Sequence, residues 1–243
     1  MKITAIIQAR MGSTRLPGKV LMDLGGKTVL ARVVNRLRRA MLVNEIVVAT
    51  TDSIADDAIV QECRRIKVSS FRGSENDVLD RYYQTALLTA AEGIVRITSD
   101  CPLIDPQIAD DTLRSFLDLR PDYASNALDR TYPRGLDTEV MTRDALACAW
   151  REAHLSYQRA HVTPYLYENP DRFDILAVRG HVDYSDHRWT LDTAQDLAFI
   201  RAVYDQLGND DNFSWHEALV VLQREPELLE LNRGIMQKAL HEG

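Results

Sequence analysis

The sequence is short of cysteine, of aromatic residues and of positive charge, and none of its apolar runs is long. Each shortage removes a class of protein. Cys63, Cys101 and Cys148 are scattered and form no CxxC pair, so neither a disulfide framework nor a zinc ribbon is encoded. No window approaches the roughly 18 consecutive apolar residues that span a bilayer. The apolar stretch of MKITAIIQAR is likewise too short for a secretory signal. A cytoplasmic chain with no membrane partner is expected. Lys and Arg number 29 against 36 Asp and Glu, a formal charge of −7. That sign disfavours a nucleic-acid partner, whose binding would rest on neutralised phosphates.

What is present is ordinary globular material: 243 residues, 45% hydrophobic and 27% charged. This suffices for one large α/β domain over 1–243. Charge is unevenly spread, because residues 1–40 hold nine Lys and Arg and one acid, Asp23. One end of the chain therefore attracts anions.

Short Ile/Val-rich runs alternate with stretches of 3.6-residue periodicity, the pattern of parallel strands joined by crossover helices. Strands are expected at Ile3–Ile7, Glu45–Thr50, Val68–Phe71 and Ile94–Thr98. Between them fall helices at Thr28–Met41, Ile54–Arg65 and Asp77–Ala91, the last stopped by Gly93. A helix near Ile108–Leu119, strands at Asp122–Asn126 and Leu136–Thr142, helical segments to Tyr167 and a strand at Phe173–Val178 follow. The tail carries an extended piece at Arg188–Leu191, a helix at Ala194–Leu207 and one at Trp215–Leu222 capped by Ser214. Segment 126–190, richer in Tyr, Pro and His, reads as an insertion or lid on the core, serving to bind a ligand or to make a dimer contact. The Leu228–Leu231 cluster reads as core or subunit interface.

The loop Gln8–Lys19 leaves the C-terminal end of the first strand, where open α/β sheets bind ligands. Gly12 and Gly18 permit close backbone approach, Ser13 and Thr14 offer hydroxyls, and Arg10, Arg15 and Lys19 bring three cations. That set suits a polyanionic phosphate. It is not a Walker A loop, since five residues separate the glycines and Val20 follows the lysine, and it is not GxGxxG. Asp100 ends a second core strand, with Pro102 just beyond, and Asp192 ends the extended run Arg188–Leu191 before a helix. Two carboxylates at one rim would suit Mg²⁺, which is held by one or two carboxylates plus substrate phosphates. Asp192 is equally readable as a helix cap, and Asp196 as a first-turn residue facing the helix dipole.

In Pro133–Glu139, Arg134 can fork to a carboxylate while Asp137 and Glu139 can accept hydroxyl hydrogens from one side of a strand; an exposed strand face with no ligand is the alternative. Arg188 reads either as a residue that reaches an acceptor or a phosphate or as a member of a surface ion pair. His161 is the first histidine to mutate; His154, His181, His187, His216 and His241 show no ligand spacing. Cys101 reads as packing.

The runs Ile7-Gln-Ala-Arg-Met-Gly-Ser-Thr-Arg-Leu-Pro-Gly-Lys-Val-Leu21, Phe71-Arg-Gly-Ser-Glu-Asn-Asp-Val-Leu-Asp-Arg-Tyr-Tyr83, Ser99-Asp-Cys-Pro-Leu-Ile-Asp-Pro106, Pro133-Arg-Gly-Leu-Asp137, His161-Val-Thr-Pro-Tyr165 and Arg188-Trp-Thr-Leu-Asp-Thr193 together resemble the spore-coat polysaccharide, SpsF-like branch of the acylneuraminate cytidylyltransferase family. The resemblance runs along nearly the whole chain. It implies a three-layer, GT-A-like α/β nucleotidyltransferase fold and the transfer of CMP from CTP to the anomeric hydroxyl of an acidic sugar, with release of pyrophosphate. Arg10 and Lys19 match the phosphate-binding cations, and Asp100 and Asp192 the two Mg²⁺ carboxylates; these four are the candidate catalytic residues. Gln8, Ala9, Gly12, Ser13, Arg15 and Ser99 fall in the nucleotide-binding motifs, and Arg72, Gly73 and Ser74 match the stretch against base and ribose. Arg134, Asp137, Glu139, His161 and Arg188 are the acceptor candidates, and a homodimer is expected. Val20 stands where sialic-acid-activating members commonly have Asn, which argues against N-acetylneuraminate as the acceptor, and Ser99 stands where the branch usually has Gly. A related nucleotidyltransferase using another NTP or a sugar-phosphate acceptor, and a degenerate nucleotide-binding protein, are the alternatives.

Overall fold

A computed structural model describes residues 1–238. The elements begin with β1 (Ile3–Gln8), a hairpin of β2 (Asp23–Leu24) and β3 (Lys27–Thr28), α1 (Val29–Leu37), β4 (Glu45–Thr51) and α2 (Asp57–Arg65). Then come β5 (Ser69–Gly73), α3 (Val78–Leu88), β6 (Gly93–Thr98), α4 (Pro106–Leu119), β7 (Tyr123–Ser125) and β8 (Glu139–Thr142). α5 (Arg143–Glu152), α6 (Ser156–His161), α7 (Pro164–Tyr167), β9 (Ile175–Ala177), α8 (Ala194–Gln206) and α9 (Trp215–Arg224) complete the chain.

One seven-stranded sheet takes the order β5-β4-β1-β6-β8-β7-β9, parallel throughout except for β8, which runs against both neighbours. This is the three-layer α/β arrangement expected. β1 lies between β4 and β6 and is buried on both faces, which is why its sequence is apolar from Ile3 to Ile7 but for the buried Thr4. Ile3, Ala5 and Ile7 pack with α1, α2 and α4 on one side, while Ile6 packs with α3 and α5 on the other. A third cluster joins α8 and α9 around Trp189, Leu191, Phe199 and Tyr204. Leu228 and Leu229 pack against this cluster. Segment 126–190 shares the central sheet, giving it β8 and β9, and carries α5, α6 and α7.

Local signals start the helices. Thr28 caps α1, Asp105 and Pro106 open α4, and Ser214 with Glu217 forms a capping box at α9. Three expectations are corrected. α1 ends at Leu37, leaving Met41 89% exposed. α3 ends at Leu88, and Ala90 rather than Gly93 takes the left-handed conformation, at φ 50°. Gly93 instead opens β6, where a Cβ would stand 2.6 Å from the Ile3 side chain. The hairpin of β2 and β3 was not expected; it turns on Gly25 and Gly26 at φ 61° and 82°, a Gly-Gly signal of the primed-turn type.

Candidate active site

The C-terminal ends of β1, β4, β5 and β6 lie side by side, with Gln8 opposite Thr98 and Thr51 opposite Gly73. The loop after β1 is fixed from below by Asp56, which was not foreseen. Asp56 is buried and accepts from the Met11 amide at 2.8 Å, from the Thr51 amide and from the hydroxyls of Thr50 and Thr51. The amides of Ser13 and Gly18 both return to the Met11 carbonyl, at 2.9 and 3.0 Å. Gly18, at φ 71°, makes the left-handed turn that delivers Lys19.

Lys19 then runs inward. Its Nζ donates to Asp100 Oδ2 at 2.8 Å, Asp192 Oδ1 at 2.9 Å and the Leu191 carbonyl at 2.7 Å. The two carboxylates therefore do meet, and the Leu191 amide bonds the Asp100 carbonyl at 2.8 Å. Burial works against the ammonium, but the carboxylates outweigh it and raise its pKa above the usual lysine value. Burial opposes ionisation of Asp100 too; Lys19 and the Thr98 hydroxyl overcome it and hold that pKa below the carboxylate norm.

Asp192 Oδ2 accepts from Arg15 at 2.9 Å and from Arg188 Nη2 at 2.8 Å. The cap of α8 is Thr193, with Asp196 as its capping-box partner, so Asp192 is free of that duty. Asp196 is fully buried and also takes Arg188 in a fork at 2.9 and 3.1 Å. Arg10 lies at the rim, 3.9 Å from Glu75 and half exposed. Ala9 extends the sheet ladder to the Ala49 carbonyl, and the buried Ser99 donates its amide to the Gln8 carbonyl at 3.1 Å. A Cβ on Gly12 would meet Glu75 at 3.3 Å.

Other expected residues are occupied elsewhere. Arg72 braces the turn after β4, donating to the carbonyls of Thr51 and Ser53 and pairing with Asp57. Gly73 bonds Asp52 through its carbonyl, and the Ser74 carbonyl accepts from Arg81. Asp137 is held in a fork by Arg130, at 2.5 and 2.8 Å. Glu139 is buried and pairs with Arg96 at 2.5 Å and with the Tyr123 hydroxyl at 3.1 Å. The two acids thus answer to different arginines. Arg134 is half-buried, bridges Arg188 through its backbone, and has no ion-pair partner among the described residues. Burial and the nearby Arg130 and Arg188 lower its pKa. His161 closes α6. Cys101 is buried, and burial raises its thiol pKa well above normal, as packing requires. His241 lies outside the described residues.

Among the described residues no group of three or more His, Cys, Asp or Glu gathers as a metal site, and no helix is long and apolar enough to cross a membrane. Two carboxylates sharing one cation, Lys19, are what Mg²⁺ would need if phosphate oxygens and water completed its shell.

A family model described as Cytidylyltransferase matches residues 4–214. The chain belongs to the cytidylyltransferase family. This cytidylyltransferase is 35% identical over 234 residues to the spore coat polysaccharide biosynthesis protein SpsF of Bacillus subtilis, covering 93% of the chain and 95% of that protein. It is 42% identical over 113 residues to the 3-deoxy-manno-octulosonate cytidylyltransferase of Geobacter sulfurreducens, covering 46% of the chain and 44% of that enzyme. A solved cytidylyltransferase structure from Leptospira borgpetersenii serovar Hardjo-bovis matches with a TM-score of 0.91 at 34% identity, covering 98% of the chain and 100% of that structure. The fold is thus that of an α/β nucleotidyltransferase, and the protein is a nucleotidyltransferase enzyme.

Proposed function

We propose that this cytidylyltransferase transfers CMP from CTP to the anomeric hydroxyl of an acidic sugar, releasing pyrophosphate, with Mg²⁺ held by Asp100 and Asp192. The observation that carries it is Lys19, an ammonium shared at 2.8 and 2.9 Å by two carboxylates beside a glycine- and cation-rich loop. The free site is nearly self-neutralised: Lys19, Arg15 and Arg188 face Asp100, Asp192 and Asp196. A nucleotide arriving with its metal exchanges these partners, and Lys19 and Arg15 pass from carboxylate to phosphate. Mg²⁺, held by Asp100 and Asp192, would supply charge neutralisation for the reacting phosphate and a lower pKa for the attacking hydroxyl. Arg10 and Lys19 steady the leaving pyrophosphate, and in-line attack then needs a positioned acceptor whose hydroxyl proton passes to water as the new P–O bond forms and the bond to pyrophosphate breaks.

Arg134 is the residue we assign to the acceptor's acidic group. A half-buried guanidinium flanked by Arg130 and Arg188 gains from an anion more than one already paired. The similarity to an enzyme named for an eight-carbon acidic sugar supports this acceptor class. The test is pyrophosphate release with CTP, UTP, ATP and GTP against a panel of acidic sugars. CTP with an acidic sugar alone is expected to turn over; turnover with another nucleotide, or only with a sugar phosphate, overturns the reading. Asp192→Ala is expected to abolish turnover, and wild-type activity in that variant sinks the two-carboxylate site. Arg134→Ala is expected to raise KM for the sugar about 10-fold or more while leaving KM for CTP in place.

A further inference from the structure

After α9 a 3-10 turn, Pro226–Leu231, brings the chain back toward the rim. Asn232 follows it and is only 5% exposed. Its Nδ2 donates to the Arg188 carbonyl at 3.0 Å and to Asp196 Oδ1 at 3.1 Å. Farther on, Gln237 Oε1 accepts from Arg188 Nη1 at 2.8 Å, and Lys238 Nζ stands 3.5 Å from the Thr14 hydroxyl of the phosphate loop. The C-terminal segment thus touches both walls of the site.

Its contacts to the second wall converge on Arg188 and the Asp196 that holds it. Arg188 is gripped by Asp196, Gln237 and, through its carbonyl, Asn232, and its remaining reach goes to Asp192 Oδ2. Asp192 Oδ1 is the oxygen given to Lys19. One oxygen is therefore anchored and the other exchangeable, which is the arrangement a carboxylate needs if it is to pass from an internal cation to a metal without swinging away. Asp196 can hold Arg188 this way because Asn232 and the amides of Asp192 and Thr193 fix its own two oxygens.

We propose that Asn232 is a positioning residue for Asp192, acting through Asp196 and Arg188, and that the C-terminal segment is part of the active site. The proposal rests on the reading of Asp192 as a metal carboxylate. Partners that orient a metal ligand typically matter about 10- to 100-fold in metal affinity or activity.

The experiment is Mn²⁺ binding to the full-length protein at saturating CTP without acceptor, followed by electron paramagnetic resonance. Wild type, Asn232→Ala and Gln237→Ala are compared. Asn232→Ala, folded by circular dichroism, is expected to lose about 10-fold or more in Mn²⁺ affinity and to lower kcat without moving KM for the sugar. Gln237→Ala, at an exposed position, is expected to lose roughly threefold. A folded Asn232→Ala with wild-type Mn²⁺ affinity overturns the proposal, even if its melting temperature falls. Should Asn232→Ala fail to fold, wild-type affinity in Gln237→Ala overturns it instead. If the wild-type protein takes up no Mn²⁺ with CTP, the metal reading fails, and this inference with it.

Discussion

Arg96 and Arg134 differ in whether they have an ion-pair partner among the described residues. Arg96 and Glu139 face each other across β6 and β8 in register, both largely shielded. Burial opposes the Arg96 charge, and Glu139 more than compensates, raising its pKa. Removing one member leaves the other buried and uncompensated. Glu139→Gln is therefore expected to cost about 3–5 kcal/mol in urea unfolding, far more than an exposed pair such as Arg114 and Asp111. Arg134 is the opposite case, a half-buried cation with its chemistry unspent. The sequence shows both as arginines near acids and does not distinguish them, because pairing depends on which strands become neighbours. Lys19 and Asp100 were legible for a different reason: each follows directly from a strand end or a glycine turn, so local order alone delivers it to the rim. Asp56 and Asn232 had no such local mark.

Among the elements, α1 shows how a helix is locked to the rest by charge as well as by its apolar face. Its Arg32 is fully buried and donates to the Leu24, Gly25 and Asn209 carbonyls and to Asp211, which also receives Lys27 and Asn35. Burial opposes the Asp211 charge, and Lys27, Arg32 and Asn35 overcome it, so its folded pKa lies below the ordinary carboxylate value. A carboxylate depressed on folding stabilises above its unfolded pKa, and that contribution fades as pH falls toward and through the folded one. Asp211→Asn should lower the melting temperature at pH 7 and flatten its decline from about pH 5 downward. An unchanged acid limb would show that other carboxylates carry it. The strands were readable because burial on both faces leaves apolar runs, and the capped helices because Ser and Thr precede them. The β2–β3 hairpin was missed although Gly25-Gly26 announces it, since two-residue strands leave no alternation to read. The three-layer sheet was legible, but the return of segment 126–190 into it as an antiparallel strand depends on long-range pairing that no local pattern encodes.

At the scale of the whole molecule, the proposed partner exchange at Lys19 would make nucleotide and metal binding one event. In the free protein a divalent ion must displace an ammonium already bonded to Asp100, Asp192 and a carbonyl. A nucleotide alone must draw the same ammonium from two carboxylates that then face each other without a cation between them. Each ligand pays a cost that the other removes, and linkage requires that the gain be reciprocal. Since binding to the folded state alone raises stability by RT ln(1 + [L]/Kd), the coupling is readable as melting temperature. Mg²⁺ alone and CTP alone are expected to shift it little, and the two together by clearly more than the sum. Lys19→Met should reverse half of that pattern: Mg²⁺ alone now finds two carboxylates unclaimed by an ammonium and stabilises the variant, while CTP has lost a phosphate partner and binds less tightly even with metal. Additive shifts in the wild-type protein, or a Lys19→Met variant as indifferent to Mg²⁺ as wild type, would show that Lys19 does not stand in the metal's place.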